Sequence, residues 1–275
     1  MDTAIILSPS LLTRRGAPEL VRNATVYLGD EFCIHKQPSF ADFAAVRELT
    51  GKNPVLLSTL LTEPAFENYA GLLSECAKKA PGAEVVVNDI GLLHFINKNY
   101  RGRFRITLGR LMTYFFDPKD RRVPGSKTDS GWMEGRKLKA WEARRNDTPI
   151  AYIKDFLKRY AVERVETDNE YIFRKYAGKT DVKISFHYPL RLMAITRFCP
   201  FMGGLAPECK APCGNRLLRL KTRRLDYEVF SKGNAYFVQN RLIKHPRLDR
   251  LVVTSFVRSP GFKLVMNKYS RPDRP

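Results

Sequence analysis

Three of the five cysteines in this 275-residue chain stand close together, as Cys199-x9-Cys209-x3-Cys213, and a fourth, Cys33, lies far upstream. Four thiolates suit a zinc ion or an iron–sulfur cluster. Structural zinc sites usually draw on tighter C-x2–4-C pairs, so the wide spacing with a remote fourth ligand favours the larger cluster. Scattered core cysteines are the simpler alternative. Cys76 falls near the end of an amphipathic helix and reads as a packing residue. An odd cysteine count in a mid-sized chain argues for metal or redox chemistry in a reducing cytoplasm rather than a disulfide framework. The opening Met1-Asp2-Thr3-Ala4-Ile5-Ile6-Leu7-Ser8 is acidic and only briefly apolar, unlike a signal peptide.

Such residues need elements to carry them. Short β-branched runs recur at Ile5–Ser8, Thr25–Gly29, Val55–Thr59, Glu84–Asp89, Arg105–Arg110, Val162–Thr167, Lys183–His187 and Leu192–Arg197. Helical patterns separate many of them. Ser39 and Asp42 form a capping-box start, Thr62-Glu63-Pro64 opens a second helix, and Ile150–Tyr160 a third. Nearly all-apolar strands alternating with helices indicate a parallel sheet buried on both faces, and eight of them indicate closure into a (β/α)8 barrel. The link between the seventh and eighth runs is short. In a closed barrel the second and eighth strands flank the first, roughly 10 Å apart. Cys33 follows the second run and Cys199 the eighth, so both are expected on the C-terminal rim. Asp89, Arg110, His187 and Arg197 end their runs at the same mouth. Arg110 suits a carboxylate clamp or a structural pair with Asp89. Asp89 suits orientation of a hydroxyl or a proton, and His187 acid–base chemistry or a satisfied rim position. Arg197 suits a counter-charge to a cluster. His94 is expected in the core, and His35 and His245 at the surface.

Charge is unevenly spread. The net charge is +20, and residues 215–275 hold 15 Lys/Arg against 4 Asp/Glu. That segment suits RNA, an anionic surface or an acidic partner, or is simply a solvated basic face. Asp117–Asn146, with both tryptophans, reads as a loop covering substrate or touching a partner. Tyr227–Ser231, Ala235–Gln239 and Leu251–Phe256 suggest a small antiparallel extension. The expected division is a barrel over 1–199, with the cluster loop and basic extension over 200–275 packed on it as one structural domain. No apolar run is long enough to span a bilayer.

Several segments resemble peptidase family U-thirty-two, and in particular its short UbiV-type members. They are Val26-Tyr27-Leu28-Gly29 with Cys33, Val87-Asn88-Asp89-Ile90-Gly91, Gly109-Arg110-Leu111-Met112, Tyr188-Pro189-Leu190, and Arg197-Phe198-Cys199 with Cys209 and Cys213. The resemblance runs from about Ile5 to Gln239. It implies a barrel with a [4Fe–4S] cluster on Cys33, Cys199, Cys209 and Cys213, and oxygen-independent hydroxylation of the ubiquinone-pathway type beside a homologous partner subunit. Other members of the family hydroxylate RNA bases, with prephenate as a proposed oxygen donor. The sequence departs from the pattern at Ile34-His35-Lys36, in a short cluster loop and in the basic tail. A non-catalytic iron–sulfur or zinc scaffold is the alternative from another class. Proteolysis is not expected, because the chain has neither a G-x-S-x-G elbow nor an H-E-x-x-H helix.

Overall fold

The computed structural model describes residues 1–12, 21, 24–116, 149–196, 198–203, 209, 212–214, 216–220, 225 and 227–254. Arg197 and the segment Asp117–Asn146 lie outside these residues. In chain order the strands are β1 (Asp2–Leu7), β2 (Thr25–Gly29), β3 (Val55–Leu57), β4 (Glu84–Val87), β5 (Arg105–Leu108), β6 (Val162–Thr167), β7 (Lys183–Tyr188), β8 (Leu190–Ile195), β9 (Leu218–Leu220), β10 (Val229–Lys232), β11 (Ala235–Gln239) and β12 (Leu248–Thr254). The helices are α1 (Phe40–Thr50), α2 (Glu63–Lys79), α3 (Ile90–Asn99), α4 (Arg110–Phe116), α5 (Ile150–Arg159) and α6 (Glu170–Lys179).

Eight strands close into a parallel barrel in the order β1-β12-β7-β6-β5-β4-β3-β2, as in a (β/α)8 fold. A separate four-stranded antiparallel sheet follows, in the order β8-β11-β10-β9. Alternate side chains of each barrel strand face opposite ways. Leu28, Leu56, Val85, Val87, Leu108 and Val165 join the shell between barrel and helices. Ala4, Ile6, Tyr27, Val55, Leu57, Val86 and Val252 pack together inside. The helices α1, α2 and α5 start where the sequence signals them. Ser39 and Asp42 form a reciprocal capping box on α1, which ends at Gly51 in the left-handed conformation. Pro64 stands in the first turn of α2. Cys76 is buried in the helix–barrel shell, as a packing residue should be.

The eighth barrel strand is not the expected one. Leu190–Ile195 turns away into the second sheet and pairs antiparallel with β11. Leu248–Thr254, expected in the antiparallel extension, instead closes the barrel between β1 and β7. Chain length explains the exchange. Only Pro189 separates β7 from β8, whereas two neighbouring parallel strands need a crossover of a dozen or more residues. The chain between β8 and β12 is long enough for that return, and it holds the second sheet where the other units hold helices. The division at residue 199 therefore cuts across both layers, since each side of it supplies a strand to the other's sheet. Among the described residues, no helix is long and apolar enough to cross a membrane.

Candidate functional site

The apolar side chains inside the barrel come from β1–β4 and β12, and polar ones come from β4–β7 and β12. Near the N-terminal end, Arg250 donates to Asp2, Glu84 and the Tyr27 hydroxyl at 2.8 Å each. Thr107 also donates to Glu84, at 2.7 Å. Tyr27 in turn donates to Glu166 Oε1 at 2.7 Å. Glu166 Oε2 lies 3.0 Å from His187 Nε2. Burial alone would raise the Glu166 carboxyl, but His187, the Tyr27 hydroxyl and Arg250 together hold it below the usual range.

At the C-terminal mouth Arg110 is fully buried and holds two acids. Its Nε and Nη2 grip Glu31 as a fork at 3.0 and 2.6 Å, and Nη1 donates to Asp168 Oδ2 at 3.0 Å. Asp168 also accepts from Tyr114 Oη at 2.6 Å and from Leu192 N at 2.7 Å. The guanidinium sits 5.2 Å from the Phe32 ring and 5.9 Å from that of Phe237. Phe237 belongs to the second sheet, whose Leu190, Leu192 and Phe230 pack with Phe32 and Leu111. That sheet covers the mouth, and Glu31, Glu166, Asp168 and His187 are each at most 1% exposed. Gly109 makes the close turn into α4 feasible, because a Cβ there would collide with the Asn88 side-chain amide. Asn88 is held in turn by Ser58 O and by the backbone N–H of Leu111, at 2.9 and 3.2 Å.

The loop after β2 joins this network to the cysteines. Glu31 faces Arg110, while its neighbour Asp30 accepts from the backbone N–H of Phe32 and of Cys33 at 2.9 and 3.2 Å. Asp30 also lies 3.4 Å from Lys232 Nζ and 3.8 Å from Lys36 Nζ. Burial would raise the Asp30 carboxyl, but the two ammonium groups and the Phe32 N–H hold it below its ordinary value. Lys36 hydrogen-bonds the Cys213 side chain and stands near Cys33, and Asp30 first, then these cysteines, raise its value despite burial. Burial, with Asp30 adding to it, pushes the Cys33 thiol up to about 12. Asn234, at the turn between β10 and β11, donates to Phe32 O at 2.9 Å and to Thr196 O at 2.6 Å. It thereby ties the Cys33 loop to the segment that leads to Cys199. Cys199 O accepts from the N–H of Met202 and Gly203 at 3.0 Å each.

The two metal readings of the cysteines make different geometric demands. A tetrahedral zinc ion with Zn–S of about 2.3 Å sets its sulfurs about 3.8 Å apart. All four cysteines are described, and no three of their sulfurs lie within 4.8 Å of one another. A four-iron cube separates its thiolates more widely, because each binds a different corner. The four thiols are donors suited to either group, and Lys36 stands beside two of them, Cys33 and Cys213.

The other residues singled out in the sequence fare differently. Arg110 and His187 meet at the mouth through Glu31, whose Oε2 lies 2.6 Å from Arg110 and 4.0 Å from His187. The acids that Arg110 clamps are the protein's own. Asp89 is the N-cap of α3, accepting from Leu92 N at 3.0 Å, and does not pair with Arg110. It is the preceding Asn88 whose position turns it towards the barrel. His94 is exposed on α3 rather than buried, and His245 is half-buried against Phe173. His35 is exposed, as expected.

Much of the described basic extension is engaged internally. Arg250 and Lys232 are buried against acids, Arg247 donates to Thr180 O and Val182 O, and Arg219 pairs with Glu228. Sequence reading passed over Asp30, Glu31, Lys36, Glu166 and Asp168. An acidic pair directly after an apolar strand, three and two residues before a candidate ligand, was the available signal for the first two. Comparisons with protein-family models, with curated proteins and with solved structures return no match to this chain.

Proposed function

We propose that this chain is an iron–sulfur protein of oxygen-independent hydroxylation, of the type implied by its resemblance to peptidase family U-thirty-two. In this reading Cys33, Cys199, Cys209 and Cys213 hold a [4Fe–4S] cluster, and the chain works beside a homologous partner subunit. One observation carries the reading: Lys36 hydrogen-bonds Cys213 while standing near Cys33, so cysteines from opposite ends of the chain share one buried cation. Four-thiolate clusters are anionic, and cations or N–H groups beside the sulfurs set their potentials. When bound, such a cluster supplies one-electron chemistry that amino-acid side chains lack.

The protein's own groups have definable tasks around it. Lys36 offsets the thiolate charge at Cys213 and Cys33, Lys232 pairs with Asp30, and Asp30 fixes the Phe32 and Cys33 N–H groups. Asn234 sets the Cys33 loop against the Cys199 segment. The overlying sheet shields the mouth from water. With Arg110 committed to Glu31 and Asp168, a small acid serving as oxygen donor, such as prephenate, would be held by other cations. The RNA-directed reading draws less support, because Lys232, Arg247 and Arg250 serve internal contacts.

The test is iron and sulfide content, with visible and electron paramagnetic resonance spectra, on protein purified without oxygen. About four irons per chain, lost in Cys33→Ala and Cys213→Ala, is the expected result. Zinc alone, or no metal in a folded protein, would overturn the proposal.

A further inference from the structure

Behind the cysteines, one nitrogen of His187 and one carboxylate oxygen each of Glu31 and Glu166 all lie within 4.8 Å of one another. They come from β7, the loop after β2, and β6, and none is more than 1% exposed. His187 Nδ1 is buried and has no hydrogen-bond partner, although it faces Glu31 Oε2 at 4.0 Å.

A neutral imidazole cannot satisfy this arrangement in either tautomer. With its proton on Nε2 it serves Glu166 at 3.0 Å and leaves the Nδ1 lone pair facing the Glu31 carboxylate. With the proton on Nδ1, the Nε2 lone pair stands against Glu166 Oε2 instead. Charge points the same way. Glu31, Glu166 and Asp168 converge here, and the guanidinium in direct contact, Arg110, holds Glu31 and Asp168 but not Glu166. Arg250 makes its direct contacts with Asp2, Glu84 and the Tyr27 hydroxyl nearer the other end of the barrel. Buried charge persists only when it is paired or bound to metal.

We propose that Glu31, Glu166 and His187 form a binding site for one divalent transition-metal ion inside the barrel, separate from the cysteine site. An imidazole with two carboxylates suits manganese, iron or zinc. Ligand atoms about 2.1 Å from a metal span at most about 4.2 Å, so an ion between Nδ1 and Glu31 Oε2, 4.0 Å apart, is within reach, and Glu166 would turn from Nε2 to join it. The surroundings are built as ligand supports usually are. Tyr27 donates to the far oxygen of Glu166, and Arg110 fixes Glu31 as a fork while leaving each oxygen a further lone pair.

The experiment uses the full chain, stripped with EDTA and reloaded with Mn2+ or Zn2+ without oxygen. One Mn2+ per chain should survive gel filtration and show nitrogen-14 coupling from an imidazole in its electron spin-echo spectrum. Glu166→Gln and His187→Gln should weaken Kd at least about 10-fold, the loss that even an outer hydrogen-bond partner of a ligand causes. Cys213→Ala should retain the Mn2+, which separates this site from the cluster whether or not the cluster reading holds. If the barrel variants do not fold, the wild-type spectrum decides alone. Failure of the wild type to retain either ion, retention unchanged in folded Glu166→Gln, or bound Mn2+ without nitrogen coupling would each overturn the proposal. So would a doubly protonated His187 ring seen by nitrogen-15 NMR in the presence of Mn2+-equivalent Zn2+, because a proton would then be the missing positive group.

Discussion

Arg110 shows how far a residue's chemistry depends on what is brought to it. Its guanidinium is a carboxylate fork, and the carboxylates it meets are Glu31 and Asp168, both buried. Replacing it with methionine strands two acids in the interior, and breaking a buried pair in this way costs about 3–5 kcal/mol. Arg110→Met should therefore lower the urea midpoint by that equivalent. An Arg110 variant that keeps full stability would show that the acids are not ionised there. Gly109→Ala tests the adjacent contact. The added Cβ would drive Asn88 from its bonds to Ser58 O and Leu111 N, with an expected loss of about 2–4 kcal/mol. Burial of the Cys33 thiol has a chemical readout too. With its value pushed up to about 12, Cys33 in metal-free protein should resist iodoacetamide at pH 8, as peptide mass spectrometry would record.

At the scale of elements, local signals and tertiary demands separate cleanly. The capping box of α1 and the proline in the first turn of α2 were legible because caps involve residues a few positions apart. Asp89 was legible as a polar residue at a strand end, but its side chain caps α3 and takes no part in the mouth network. Asp89→Ala is thus expected to cost about 1 kcal/mol of stability and to leave iron content unchanged. Loss of iron without a matching loss of stability would restore a role for Asp89 at the site. Glu166 and Asp168 were not legible. A charged residue on a strand reads as solvent-facing unless the partners that neutralise it, here Tyr27, His187 and Arg110, are known to be opposite.

For the whole molecule, the closing strand is the controlling feature. Because β12 stands between β1 and β7, a fragment ending at residue 199 lacks the strand that completes the barrel. Such a fragment should show no cooperative urea transition, and a sharp one would contradict the closure described here. Acid should weaken the intact, metal-free fold. The Asp30 and Glu166 carboxyls are held below their ordinary values, so the folded state binds fewer protons than the unfolded chain. Their contribution is complete above the unfolded values of about 3.9 and 4.3 and is lost as the pH falls below them. Urea midpoints should stay level from pH 7 to 5 and drop below about pH 4.

By itself the sequence determined the barrel class, seven of the eight barrel strands and the starts of α1, α2 and α5, because periodicity, caps and turn residues act over a few positions. Only the tertiary structure decided which strand closes the barrel, since pairing between β1 and β12 spans nearly the whole chain and two runs competed for the place. The short link through Pro189 held the deciding physics, a parallel neighbour being out of reach after one residue. The buried charge network was likewise a tertiary decision. Glu31, Glu84, Glu166 and Arg250 can lie inside a barrel only because closure brings each a partner that water would otherwise supply.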